Sequence, residues 1–215
     1  MGNLSLNKLG GLSIIVGPVL ALVFYLLQPG GLLIDSADPS DAQATITALV
    51  SNSTMAHLGA FLIPLGLLLF LHGFLTVQNN VRSGGNGDAL SRLGVLLLVV
   101  AVVGWVLVSG LTGILANNAG PAAGAVYAVS QGLNSMSALS AALGFLLFSY
   151  ALSTRDDYNK ILALLVAVAS LVSLVAIIVS IVDTSTLQTT SAISAIVYII
   201  TTIWAITLGL GMLKE

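Results

Sequence analysis

Six long apolar runs decide what this chain can become: Leu9 to Leu27, His57 to Val77, Leu90 to Leu115, Ala122 to Leu152, Ile161 to Val182 and Ser191 to Leu213. Each is close to or beyond the roughly 20 residues that a helix needs to cross a hydrocarbon core. Only Arg92, near the start of the third run, interrupts them with charge. A backbone in hydrocarbon must satisfy its own hydrogen bonds, so runs of this kind span as helices. The pattern predicts an all-α fold: a polytopic membrane bundle of six transmembrane helices, forming a single transmembrane domain over residues 1-215. Residues 29-56 form an external lid with a short amphipathic helix.

Composition then removes whole classes of function. Charged residues make up 7% of the chain and its mean hydropathy is +1.08, whereas soluble domains carry about 25% charge. A net charge of -2 with six scattered basic residues gives no footprint for nucleic acid. There is no cysteine, which excludes disulfides, thiolate nucleophiles, iron–sulfur clusters and Cys-ligated zinc. The first run exceeds the roughly 7–15 residues of a signal-peptide core and no small-x-small cleavage site follows it, so it is expected to remain as a span.

The charges that do exist are sorted. Lys8, Arg82, Arg92, Arg155, Lys160 and Lys214 all fall on one side of a six-span layout, and Asp35, Asp38, Asp41 and Asp183 on the other. Lys and Arg are retained on the cytoplasmic side. The expectation is a plasma-membrane protein with both termini cytoplasmic and the acidic 29-56 loop outside.

That loop begins with Pro29-Gly30-Gly31, which ends the first span, and continues as Asp38-Pro39-Ser40-Asp41. The second motif reads as a helix start, with Asp38 as N-cap, Pro39 at the first helical position and Asp41 near the positive helix end. Ala42, Ile46, Leu49 and Val50 then recur at helical spacing. The resulting helix should lie on the outer surface or cap the bundle, as a packing lid or as a gate or docking element. Asn52-Ser53-Thr54 matches a glycosylation acceptor, a pattern that chance supplies often.

Two sets of polar residues stand out. Asp35, Asp38, Asp41, His57 and Asp183 form a candidate external polar cluster. The fourth run places Tyr127, Gln131, Asn134 and Ala138 at i, i+4, i+7 and i+11, so Tyr127, Gln131 and Asn134 share one helix face, flanked by Ser130, Ser135 and Ser137. Carboxamides and a phenol in hydrocarbon need partners, so this face must look into the bundle, into a wet cavity or onto another subunit. It serves interhelical hydrogen bonding, or else a polar ligand or a subunit interface. His57 and His72 lie about 22 Å apart along one helix and cannot share an ion or a haem. No catalytic, cofactor-binding or metal-binding set is predicted, and no cofactor.

Small residues in the third run (Gly94, Ala101, Gly104, Gly110, Gly113) and the fifth (Ala163, Ala167, Ser170, Ser173) predict close helix contact. Trp105 and Trp204 should fill space between helices, while Pro18 and Pro64 should bend theirs. Leu65-Gly66-Leu67-Leu68-Leu69-Phe70 echoes Leu143-Gly144-Phe145-Leu146-Leu147-Phe148, a hint of duplicated hairpins.

The Leu9-Gly10-Gly11 entry, the acidic loop running into Asp41-Ala42, the basic turns and the Trp204 to Gly211 ending together resemble an uncharacterised family of bacterial six-helix integral membrane proteins, known as a domain of unknown function. The resemblance spans nearly the whole chain and implies a fold, but no activity. From the residues themselves, no nucleophile, metal site or acid–base pair is in evident reach, so an enzyme is not expected. An interior almost free of charge, joined to short turns, favours a non-catalytic scaffold, accessory or assembly subunit of a larger membrane complex. Its partners would be membrane lipids and other membrane subunits or further copies of itself. The alternative is a transporter or channel for a small neutral solute, using the polar face of the fourth span.

Overall fold

A computed structural model describes residues 5–82, 86–117 and 120–214. Those residues form seven helices, six of them long and apolar enough to cross a bilayer. They are α1 (Leu6–Leu26), α2 (Ala42–Ser51), α3 (Ser53–Arg82), α4 (Asp88–Ala116), α5 (Ala123–Ser153), α6 (Lys160–Val182) and α7 (Leu187–Met212). The protein is therefore an all-α membrane protein with one short accessory helix.

The long helices alternate in direction. Each packs against two others in the order α1, α3, α4, α5, α6, α7, and α7 returns to α1, so the six close into a ring. One end of the ring holds the 27–52 segment, the end of α4 at Asn117, the 3-10 turn Gly120–Ala122 and the turn at 183–186. All six basic residues lie toward the other end, which we call the basic end. The short α2 sits across the lid-end tips of α3, α4 and α5. Its Ile46 and Leu49 are buried against Leu115, Ala116 and Tyr127, so the helix caps the bundle as its apolar spacing predicts.

The start of α2 differs from the sequence expectation. Asp41, not Asp38, is the N-cap, its carboxylate accepting from the Ala44 amide at 3.0 Å. Asp38 instead accepts from the amide and hydroxyl of Ser40, both at 2.8 Å. A carboxylate that captures the amide two residues on closes an Asx turn and competes with helix entry, which delays the helix to Ala42. Two spans also begin earlier than hydropathy suggests. Helix α3 follows α2 after the single residue Asn52, and α7 begins at Leu187 behind a 3-10 turn capped by Asp183. Polar Ser, Thr and Gln extend these helices past the apolar runs. Pro18 and Pro64 both lie within unbroken helices, so neither divides its span into half-helices.

Close crossings hold the ring together. A Cβ on Gly66 would lie 2.6 Å from the Gly17 carbonyl oxygen, and one on Gly144 would lie 2.9 Å from that of Gly94. The α1/α3 and α4/α5 pairs thus meet at backbone contact distance, as small residues allow in lipid. The sequence echo marks equivalent places: each repeat puts its glycine at such a crossing and its last phenylalanine, Phe70 or Phe148, into the central core. Around these two, Phe74, Phe145 and Trp204 complete an aromatic cluster donated by α3, α5 and α7, with ring centroids 4.6 to 6.3 Å apart. Trp204 is 1% exposed. The basic-end half of the ring is filled from side to side.

Candidate functional site

The lid-end half is not filled. A cavity of about 310 Å³ lies beneath the lid, and all seven helices contribute to its wall. The sequence explains why it stays open. Where the other half has phenylalanines, these helices present Ala21, Ala60, Ser109, Thr112, Ser130, Ala138 and Ser194, which are too small to meet across the ring.

The polar stripe of the fourth span is on this wall. Tyr127, Gln131, Asn134 and Ala138 of α5 all line the cavity, so their i, i+4, i+7, i+11 spacing does turn one face inward. Two of them also hold the lid. The Tyr127 hydroxyl donates to the Pro39 carbonyl at 2.7 Å; the Gln131 amide donates to the same carbonyl at 3.3 Å and to the Tyr127 oxygen. Pro39 precedes α2 in the Asx turn, so one backbone oxygen of the lid takes both donors of α5, and the Tyr127 hydroxyl also lies 3.4 Å from the Thr45 hydroxyl of α2. Further along α5, the exposed Asn134 accepts from the Trp105 indole nitrogen at 3.0 Å, joining α5 to α4. Trp105 therefore fills space between helices as expected, and also fixes the carboxamide.

Sequence reasoning missed the other polar walls. Ser191, Ser194 and Tyr198 of α7 fall at i, i+3 and i+7 and line the cavity, as does Gln188 one turn earlier; Trp105, Ser109 and Thr112 of α4 do so at i, i+4 and i+7. The periodicity was present in the sequence, but Ser and Thr recur on every face of several spans and mask it. Helix α3 supplies a contrasting apolar wall of Ala60, Ile63 and Leu67. No Asp, Glu, Lys, Arg or His lines the cavity among the described residues.

The acidic residues of the lid end do not converge on it. Asp35, which has a left-handed φ of 42°, accepts from the Asn52 amide at 2.6 Å and so ties the front of the lid to the α2/α3 junction. Asp38 and Asp41 are used in the turn and cap described above. Asp183 accepts from the Ser185 hydroxyl at 2.7 Å and amide at 3.0 Å. The carboxyls of Asp38 and Asp183 are held below the usual carboxylate range. For Asp38 the main cause is the Ser40 amide and then its hydroxyl; for Asp183 it is the Ser185 hydroxyl and then its amide. His57 bonds the Ser53 carbonyl within its own helix, and His72 pairs with Ser13 of α1 at 3.1 Å. Among the described residues no group of three or more His, Asp or Glu is placed to hold a metal ion.

Comparison with known proteins finds no matching family model, no matching curated protein and no matching solved structure.

Proposed function

We propose that this protein binds a small uncharged solute in the lid-end cavity, as the substrate site of a membrane carrier. The observation that carries the reading is a cavity of about 310 Å³, lined by hydroxyls, carboxamides and aliphatic side chains without a charge. That volume lies at the lower end of the range for small-molecule sites, and an apolar pocket with a few converging polar groups is the usual form of one. The wall carries no counter-charge to offset the desolvation of an ionic group, so it favours a neutral solute over a charged one. The filled aromatic half blocks the way beyond the cavity, which corresponds to a carrier closed at its basic end.

In this reading the basic end is cytoplasmic, since Lys and Arg mark that side, and the cavity faces outward in the plasma membrane with both termini inside. The resemblance to the six-helix bacterial family agrees with this layout and adds no activity. The inward-turned stripe of α5 favours a bound solute over a docking face for another subunit, which is why the carrier is preferred here to an accessory subunit.

The test is a thermal-shift screen of the purified protein against matched neutral and charged solutes, followed by uptake of each hit into proteoliposomes. Neutral solutes should raise the melting temperature and cross faster than in protein-free vesicles. Ala138→Trp, which fills the cavity, should abolish both effects while the unliganded protein still melts cooperatively. A charged solute as the sole hit, or a shift that survives Ala138→Trp, would end the reading. Cysteines introduced at Ser36 and Thr154 should label from opposite sides; labelling from one side would overturn the orientation.

A further inference from the structure

The cavity floor contains one polar atom whose bonding is unfinished. Tyr198 of α7 lines the cavity beside Leu67 and Trp105, at the level where the open half meets the aromatic cluster. Its hydroxyl is closed off from the open space by its neighbours and makes no hydrogen bond among the described residues, so a solute meets it as the side chains at the floor shift. Tyr127, the other phenol discussed above, shows the contrast: it donates to the Pro39 carbonyl at 2.7 Å. A buried hydroxyl without an acceptor costs on the order of 1–3 kcal/mol, and phenylalanine would fill the same volume without that cost.

Building on the carrier reading, we propose that the solute is a compact molecule with an apolar skeleton and one acceptor oxygen, a ketone or ether, which takes the proton of the Tyr198 hydroxyl at the cavity floor. The hydrophobic skeleton lies along the aliphatic wall of Ala60, Ile63 and Leu67. An acceptor-only oxygen suits the site because it satisfies the phenol without adding a further donor to be satisfied. Tyr198 is thus a specificity-determining residue: it rejects the corresponding hydrocarbon by leaving its own hydroxyl unpaired, the means by which a hydrogen-bonding site discriminates against an analogue that lacks the oxygen.

The experiment uses camphor, a bicyclic ketone, and camphane, the same skeleton without the oxygen, on the full chain in nanodiscs. Tritiated camphor is the label, empty nanodiscs correct for lipid partitioning, and unlabelled camphor and camphane are compared as competitors. Camphor should displace the label at roughly threefold to tenfold lower concentration than camphane, the span that one net hydrogen bond supports. In Tyr198→Phe, camphor should weaken by that factor and camphane should not, and unchanged camphane binding also shows that the variant is folded. Equal displacement by the two compounds in the wild type, or a ketone preference that survives Tyr198→Phe, would overturn this inference and leave the cavity reading standing. If no label binds the wild type, this inference falls, and the carrier reading is decided by its own solute screen.

Discussion

The two halves of the ring are built from the same six helices and much the same alphabet of residues, yet one is dry and filled while the other encloses space. In the basic-end half, Phe70, Phe74, Phe145, Phe148 and Trp204 meet in the middle. In the lid-end half many inward positions are Ala, Ser and Thr, so the larger side chains among them do not meet across the ring, and the roof is a separate small core of Ile46, Leu49, Leu115 and Tyr127. Lipid tails are as apolar as leucine, so tight packing rather than hydrophobic transfer holds such a bundle together. Stability should therefore reside in the filled half, which frees the other to bind. Phe148→Ala tests this most directly: the side chain is fully buried and stands edge-on to Phe74 at 5.0 Å. It should cost about 3 kcal/mol, the lower part of the range for Phe→Ala in a packed core, as read by SDS titration in mixed micelles. Ile63→Ala removes a side chain that already borders open space, and should cost less. Equal losses would mean that the halves do not divide the work in this way.

A smaller effect is expected where the lid meets the bundle. Tyr127→Phe removes the 2.7 Å bond to the Pro39 carbonyl and leaves Gln131 at 3.3 Å as the remaining donor. The net loss is about 1 kcal/mol, small enough to leave the fold intact and large enough to loosen the roof. Because the chain lacks cysteine, a single Ser109→Cys beneath the lid can report opening. A polar maleimide should react with it roughly fivefold faster when Tyr127 is also changed to Phe. An unchanged rate would show that the Tyr127 hydroxyl does not hold the lid, and would remove the latch from the comparison.

How much of this could be read beforehand follows the same division. The six spans, the capping helix and the inward stripe of α5 are legible because each has a period: apolar runs of spanning length, Ile46 and Leu49 at helical spacing, and Tyr127, Gln131 and Asn134 on one face. The cavity is not legible, because it is made by side chains that fail to reach one another. Nothing in the local sequence says that Ala21, Ala60 and Ala138, from three different helices, line one space. Tyr198 was overlooked for a related reason, since its lack of an acceptor is a property of its neighbours. The N-cap was misplaced by three residues because Asp38 and Asp41 are both good caps. Only Ser40, by supplying both donors to Asp38, decides between a turn and a helix start.

The smallest expected effect separates the two ends by the way their carboxylates are held. At the lid end, Asp38 and Asp183 are kept ionised by neutral serine donors. At the basic end, the Asp156 carboxyl is lowered by the hydrogen bond and then the charge of Lys160, 2.7 Å away. All three are exposed, and the sign is common to them. A carboxyl whose folded pKa is depressed stabilises the fold above the ordinary value of about 3.9, and loses that contribution as the pH falls through the folded value. The lid turn at Asp38 and the 3-10 turn at Asp183 should therefore keep their order down to about pH 4 and lose it only below. Salt distinguishes the ends. At about 1 M the Debye length is near 3 Å, so the Asp156 titration should move back toward the ordinary value while those of Asp38 and Asp183 stay in place. Carboxyl carbon resonances followed through an acid titration at low and high salt would show it. If Asp38 moved with salt as far as Asp156, its turn would be governed by charge rather than by the serine donors.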